Sequence, residues 1–332
     1  MYRHIVNRPE NAADEALEGL ALTHPGVVSY DRDAGIVRRA RPAREKVGLV
    51  SGGGSGHEPL HAGFVGTGML DVAVPGALFA SPTALQVHTG TVAADSGRGV
   101  VQIVKNYTGD VLNFRIAGEL AQDDAIETEV VLVDDDLATG GGDEGGPGRR
   151  GTAAVLAVEK ICGAAAEAGA GLAEVAALGR RVAGNARTLG LALRACTHPG
   201  QDEPAFALPE GEIELGVGIH GERGTGRIPY ADADTLVTRL VDPLVADLAL
   251  KRGAGVIAVV NGLGSTGPLE LSIAARALHH RLNGLGITVA RSLAGSYVTS
   301  LDMHGVSVTL LPADPDLLPL WDAPVRTPAL TW

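Results

Sequence analysis

The chain has 332 residues, a formal charge of −12 and only 3% aromatic residues. This length allows one large or two medium α/β domains, with cores built mainly from Ala, Val, Leu and Ile. A negative field of this size argues against nucleic acids and anionic membrane surfaces as partners.

The two cysteines, Cys162 and Cys196, stand in separate apolar segments. Two isolated thiols make neither a disulfide framework nor a zinc site, and they fit a reducing compartment. The first twenty residues lack the apolar region of a signal peptide, and the apolar runs are interrupted before membrane-spanning length. We therefore expect a cytoplasmic protein.

Apolar strands alternate with helices in the first half of the chain, which predicts a parallel sheet covered on both faces. The predicted helices are 11–22, 58–65, 82–94 and 111–122. The predicted strands are 27–30, 35–39, 46–51, 70–76, 99–107 and 129–135.

A loop rich in Gly and charge, 139–151, is interpreted as a surface insertion rather than a linker, because two Ala-rich helices follow it. These helices are predicted over 152–169 and 172–187. The alternation then restarts, with helices over 232–249 and 268–284 and strands over 190–196, 212–220, 256–262, 288–295 and 306–312. The predicted fold is two α/β domains, 1–188 with a mostly parallel sheet and 189–332 with a mixed sheet.

The sequence GGGSGH, residues 52–57, follows a predicted strand and precedes a predicted helix. Backbone N–H groups in that context can hold an anion or a polar ligand, but the chain has no Walker-type phosphate loop. A plain tight turn remains an alternative interpretation. At the predicted helix N-terminus, His57 would be a neutral imidazole able to accept a proton.

The sequence VKNYTGD, residues 104–110, ends the next long strand. Ligands of open parallel sheets bind at the carboxyl ends of the strands, so Lys105 and Asp110 are expected at the same edge as His57. Two alternatives stay open: Asp110 as an N-cap of the following helix, and Lys105 as a surface lysine with a partly buried stem.

The sequence GVGIHGERG, residues 216–224, matches a dinucleotide-binding pattern, but turn-like residues follow it where a helix is required. It is interpreted as a strand that delivers His220 into a Gly-flanked turn. A structural loop histidine is the alternative. The aspartates of VDDD, residues 133–136, suggest either a divalent cation site or a solvated strand end with an N-cap.

Several long segments resemble the K subunit of dihydroxyacetone kinase, in order and over nearly the whole chain. These segments include LVSGGGSGHEPLHAGF, VQIVKNYTGDVLNF, ELGVGIHGE and SLDMHGVSVTLL. The resemblance implies that His220 attacks C2 of dihydroxyacetone and forms a covalent hemiaminal, with Asp110 as the general base and His57 as its hydrogen-bonding partner. It also implies that the ketose hydroxyls are held by Gly54, Ser55, Gly56, His57, Lys105 and Asp110.

The resemblance further implies that this chain holds no cofactor or metal of its own. Nucleotide and Mg²⁺ are expected on a separate L subunit, which an M phosphocarrier subunit recharges in the phosphotransferase-linked branch. A homodimer is the family's usual state. Alternatives are a non-catalytic ketose sensor acting as a transcriptional co-activator, and a kinase subunit for another ketose such as erythrulose.

Overall fold

The structure is a computed structural model that describes residues 4–140 and 148–332. In these ranges the helices are α1 (Ala12–Thr23), α2 (Ala84–Ala94), α3 (Thr108–Asp123), α4 (Val155–Glu167), α5 (Leu172–Asn185), α6 (Ala233–Asp247), α7 (Pro268–Gly284) and α8 (Leu318–Asp322). The strands are β1 (Val28–Asp31), β2 (Ile36–Arg39), β3 (Gly48–Ser55), β4 (Val72–Leu78), β5 (Val100–Lys105), β6 (Thr128–Val133), β7 (Arg187–Arg194), β8 (Glu212–Leu215), β9 (Gly226–Pro229), β10 (Gly255–Gly262), β11 (Thr288–Gly295) and β12 (His304–Pro312).

The strands form two six-stranded sheets. The first has the order β1-β2-β4-β3-β5-β6, and its β4-β3-β5-β6 part is parallel. The second has the order β11-β10-β12-β7-β8-β9, in which only the β10–β11 pair is parallel among the described strands. The predicted fold class, with a mostly parallel and a mixed sheet, is confirmed.

The described residues divide into two compact units, and neither unit is one continuous piece of chain. The first unit holds the first sheet and comprises Val6–Val133, Val155–Ala183 and Asp316–Trp332. The second unit comprises the described residues of Met1–Ile5, Asp134–Ala154 and Gly184–Pro315. The predicted boundary near residue 188 lies close to the start of that last segment, and the division into domains 1–188 and 189–332 stays a prediction.

The central strands of the first unit are apolar because they lie in its core. Every residue of β3 and of β5 is buried, as expected for central parallel strands covered on both faces. Val72, Val87 and Phe114 belong to the cluster between this sheet and helices α2 and α3. Small side chains allow close packing here, since a methyl group at Gly163 of α4 would lie 2.3 Å from a backbone oxygen.

Three local predictions were wrong. Residues 58–65 do not form an α-helix: β3 continues through its glycines to Ser55, and turns lead to a short 3₁₀ helix at Ala62–Phe64. Pro59 disfavours helical backbone at the residue before it, which explains the difference. Helix α3 begins at Thr108 rather than 111, and the strand that was expected to reach His220 ends at Leu215.

Two other predictions concern regions that the structure covers only in part. The Gly-rich loop at 139–151 lies largely outside the described residues. Among the helices of residues 4–140 and 148–332, none has the length and apolar character needed to cross a bilayer. The cytoplasmic location stays a prediction.

Candidate active site

The glycines of β3 allow its backbone to approach neighbouring chain segments closely. A Cβ atom at Gly52 would lie 2.4 Å from the carbonyl oxygen of Val74, and one at Gly54 would lie 2.6 Å from the amide nitrogen of Ala80. The Ser55 hydroxyl donates a hydrogen bond to a carbonyl oxygen of β4, 2.7 Å away. The sequence GGG is therefore a tightly packed strand end, not the opening of a helix.

Beyond the strand end, Gly56 and His57 lie in turns. The Gly56 N–H donates to both carboxylate oxygens of Glu58, at 3.0 and 3.1 Å. The ring of His57 is 1% exposed and stacks on Phe79, with ring centroids 5.0 Å apart. Because no helix begins at His57, the helix dipole does not act on its imidazole, and that part of the sequence argument is wrong.

Lys105, at the end of β5, is fully buried, so the interpretation as a surface lysine is wrong. Its Nζ atom lies 3.2 Å from the carbonyl oxygen of Gly52 and 2.9 Å from Nε2 of His61. His61 Nδ1 in turn lies 2.6 Å from Oε1 of Glu159 in α4. A continuous row of polar groups therefore crosses the interior of the first unit.

Asp110 lies in the first turn of α3 and is 2% exposed. The N-cap residue of this helix is Tyr107, so Asp110 is not the cap. Asp110 Oδ2 lies 3.8 Å from Lys105 Nζ, and Oδ1 has no hydrogen-bond partner among the described protein atoms. A buried carboxylate oxygen in that situation is suited to accept a hydrogen bond from a ligand hydroxyl.

Gly53 is the point at which these groups meet. A Cβ atom there would lie 2.5 Å from Lys105 Nζ and 3.3 Å from Asp110 Oδ2. A cavity of about 330 Å³ also adjoins Gly53, Gly54 and Ser55. The strand end therefore borders open space and is in close contact with a buried ammonium group.

Burial dominates the electrostatics of this row. It lowers the pKa of Lys105, an effect opposed by the negative charges of Asp110 and Glu159. It also lowers the pKa of His61 well below its ordinary value, with the nearby charges of Lys105 and His57 acting in the same direction. Burial raises the pKa of Glu159 well above its ordinary value, against the influence of Lys105. His61 is therefore neutral at physiological pH.

His220 belongs to the second unit and lies in a half-buried bend after β8. Its backbone N–H donates to Oε2 of Glu222 over 2.8 Å, and Gly221 has a φ of +78°. Arg150 contacts Glu222 at 3.0 Å and Asp136 at 2.6 Å. Ion pairs thus anchor Glu222 in the bend in which His220 stands. The bend itself agrees with the Gly-flanked turn that the sequence predicted.

The VDDD aspartates have structural partners. Asp135 accepts hydrogen bonds from the amide and hydroxyl of Thr152, at 2.6 and 2.7 Å. Asp136 caps the 3₁₀ helix Leu137–Thr139. Within residues 4–140 and 148–332, no group of three or more His, Cys, Asp or Glu side chains is arranged to hold a metal ion. The contacts support the N-cap part of the strand-end interpretation, but Asp135 and Asp136 are buried rather than solvated.

The structure brings together two of the expected site residues, Lys105 and Asp110, in the first unit. Gly53 lies beside them, and His61 and Glu159 extend the group. Sequence reasoning missed Gly53, His61 and Glu159. The available signal for Glu159 was a Glu-Lys pair, Glu159 and Lys160, in the middle of a mostly apolar helix.

Replacing Gly53 with alanine is expected to displace Lys105 and to weaken ligand binding. Gly53 has a φ of +151°, which L residues rarely adopt, and its new methyl group would overlap the buried ammonium group. Strain of this kind costs about 1–3 kcal/mol of unfolding free energy, which thermal unfolding would measure. Gly19→Ala is the control: it lies in α1 with nothing within 4 Å of its Cβ position, and it should not destabilise the protein. Equal stability of Gly53→Ala and wild type would contradict the packing argument.

The model of the Dak1 domain matches residues 18–329 of the chain. The chain belongs to the Dak1 family. It is 41% identical to the PEP-dependent dihydroxyacetone kinase, dihydroxyacetone-binding subunit DhaK, of Escherichia coli strain K12, over 99% of both chains. The resemblance predicted from the sequence motifs is confirmed.

Two solved structures are similar to this chain over nearly all of its length. The dihydroxyacetone kinase operon co-activator Dha-DhaQ superposes with a TM-score of 0.90 at 33% identity, covering 95% of this chain and 97% of that one. The native dihydroxyacetone kinase of C. freundii also gives a TM-score of 0.90, at 34% identity, and covers 100% of this chain but 60% of its own. One fold therefore occurs both in kinases and in a co-activator.

Proposed function

We propose that this chain is the dihydroxyacetone-binding subunit of a multi-subunit dihydroxyacetone kinase. The observation that carries the proposal is the buried Lys105–Asp110 pair beside the glycine strand end, in a chain 41% identical to a DhaK subunit along its length. A buried cation and anion side by side suit a small polyhydroxy ligand, because the pair can donate to one hydroxyl and accept from another.

The proposed first step is a covalent capture of the ketose. A neutral imidazole nitrogen of His220 attacks C2 of dihydroxyacetone and forms a C–N bond, while the carbonyl π electrons move to oxygen. The oxygen gains a proton and the imidazole loses its N–H proton, so a neutral hemiaminal results without loss of water. Glycerol has no carbonyl group, so it cannot form this hemiaminal.

The proposed second step is phosphoryl transfer from a partner. Asp110 accepts the proton of the terminal hydroxyl as general base, with His57 as its hydrogen-bonding partner. An L subunit would bring nucleotide and Mg²⁺ to the tethered ketose. Positioning of the two reactants then supplies most of the rate enhancement. An M phosphocarrier subunit and a homodimeric state of this chain belong to the same proposal.

A second candidate function is ketose sensing without turnover. The full-length similarity to the co-activator Dha-DhaQ favours it, whereas the retained Asp110 and His57 favour the enzyme. A kinase subunit for erythrulose would use the same groups.

The experiment that tests the proposal is native mass spectrometry of the protein with dihydroxyacetone, erythrulose or glycerol. We expect an added mass of one ketose per chain with either ketose and none with glycerol. A coupled assay with a cognate L subunit then separates the two functions, since a sensor forms the adduct without turnover. Absence of an adduct with every ketose would contradict the covalent mechanism.

A further inference from the structure

Three ionisable side chains, Lys105, His61 and Glu159, lie in a row inside the first unit. Lys105 and Glu159 are fully buried and His61 is 6% exposed. Nε2 of His61 lies 2.9 Å from Lys105 Nζ, and Nδ1 lies 2.6 Å from Glu159 Oε1. Each ring nitrogen therefore faces one group that can exchange a proton with it.

The charged groups around this row come from every element packed against it. Asp110 of α3 faces Lys105 at 3.8 Å, and the carbonyl oxygen of Gly52 in β3 faces it at 3.2 Å. His57 acts electrostatically on His61, and the Ser51 hydroxyl acts on Glu159. Only Asp110 and Glu159 bring negative charge to Lys105 among its described neighbours.

Burial acts on the two ends of the row in opposite senses. It lowers the pKa of Lys105 and raises the pKa of Glu159, so it favours the uncharged form of each. A neutral imidazole between them can carry its proton on either nitrogen. Two arrangements of the same protons are therefore available: ammonium with carboxylate, and amine with carboxylic acid.

We propose that Lys105, His61 and Glu159 form a proton relay that sets the charge of Lys105 in the ketose site. In one step the Lys105 Nζ proton passes to His61 Nε2 while the His61 Nδ1 proton passes to Glu159 Oε1. The reverse step restores the ammonium group, and the number of protons stays constant. His61 and Glu159 act through Lys105, so they are positioning residues, and the inference rests on the proposed function only for its ligand.

The relay changes the chemistry of Lys105 without moving it. Both hydrogen bonds of His61 exist in either arrangement, with donor and acceptor exchanged. As an ammonium group, Lys105 donates to a ligand oxygen with a full positive charge; as an amine, its lone pair accepts from His61 Nε2 and its two N–H groups donate without that charge. No proton has to enter from solvent to a group that is fully buried.

The test is the titration of Lys105 in the ligand-free protein, followed by NMR of labelled lysine side chains. The sequence has four lysines, Lys46, Lys105, Lys160 and Lys251, so assignment by single substitutions is practical. Glu159→Gln keeps the shape but cannot carry the charge or take the proton. Because Glu159 raises the pKa of Lys105, we expect Lys105 in the variant to titrate at lower pH, with its proton affinity reduced about tenfold or more.

His88→Gln is the matched control, since His88 forms a solvent-exposed contact of 2.7 Å with Asp124 in the same unit. It should leave the Lys105 titration unchanged. An unshifted Lys105 titration in Glu159→Gln would overturn the relay. Wild-type ¹⁵N-histidine spectra give a second test that needs no variant. The ring of His61 should be neutral at neutral pH, and a doubly protonated ring there would equally overturn the relay.

Ketose binding as a function of pH separates a relay from a merely structural role. Wild-type ketose affinity should fall as the pH rises and Lys105 loses its proton. In Glu159→Gln, this fall should occur at lower pH, shifted by the same amount as the Lys105 titration. A structural role would weaken binding equally at every pH, and that result would contradict the relay. Failure of the wild-type protein to bind any ketose would contradict the proposed function. The titration of Lys105 in the ligand-free protein would still test the relay in that case.

Discussion

Replacing His220 with alanine is expected to abolish the covalent ketose adduct and to reduce turnover with a cognate L subunit by at least about a thousandfold. A small ketose offers few contacts, so the C–N bond supplies most of the orientation of its reacting hydroxyl. Holding a reacting group in this way corresponds to a large effective molarity. Native mass spectrometry and a coupled assay measure the two effects. The folded state should survive, since His220 is half-buried in a bend outside the strands.

The control for this variant is His279→Ala, which removes an exposed imidazole from α7 of the second unit. It should form the adduct as wild type does. If His220→Ala still gained the mass of one ketose, another nucleophile would carry the chemistry, and the assignment of His220 would have to be given up.

Replacing Asp110 with asparagine is expected to separate capture from catalysis. The amide keeps the size and hydrogen-bonding reach of the carboxylate but cannot accept a proton as a base. Turnover should fall by about 10²–10⁴-fold, the usual contribution of a general base, while the adduct still forms. Loss of the neighbouring negative charge also lowers the pKa of Lys105, because Asp110 is the strongest influence that raises it.

Asp123→Asn is the control, since Asp123 is an exposed carboxylate at the far end of the same helix. Turnover at the wild-type rate in Asp110→Asn would remove Asp110 from the role of base. Loss of both adduct and turnover would contradict the separation of capture from catalysis and would make Asp110 necessary for capture itself.

The sequence was sufficient for features that depend on local pattern. The apolar run of β5 correctly predicted a covered strand with Lys105 at its carboxyl end. The restart of strands and helices in the second half correctly predicted the mixed sheet. Both depend on periodicity over a few residues, which the chain displays directly.

Features that depend on distant partners could not be predicted. Residues 52–55 were expected to form a glycine loop between a strand and a helix, but glycine adopts extended backbone as readily, and β4 beside them decided the outcome. The contact between His61 and Glu159 joins residues 98 positions apart, and no local pattern indicates it. The N-cap alternative for Asp110 was wrong because α3 starts three residues earlier than its apolar pattern suggested.

The first unit consists of three separate chain segments, so its parts leave the ribosome at different times. A nascent chain ending at residue 140 already contains His61, Lys105 and Asp110, yet it lacks the carboxylate of Glu159, and the segment Asp316–Trp332 emerges only after the entire second unit. Domains fold as units while the ribosome elongates the chain. Lys105 therefore spends the earliest stage of biogenesis without one of the two carboxylates that stabilise its buried charge.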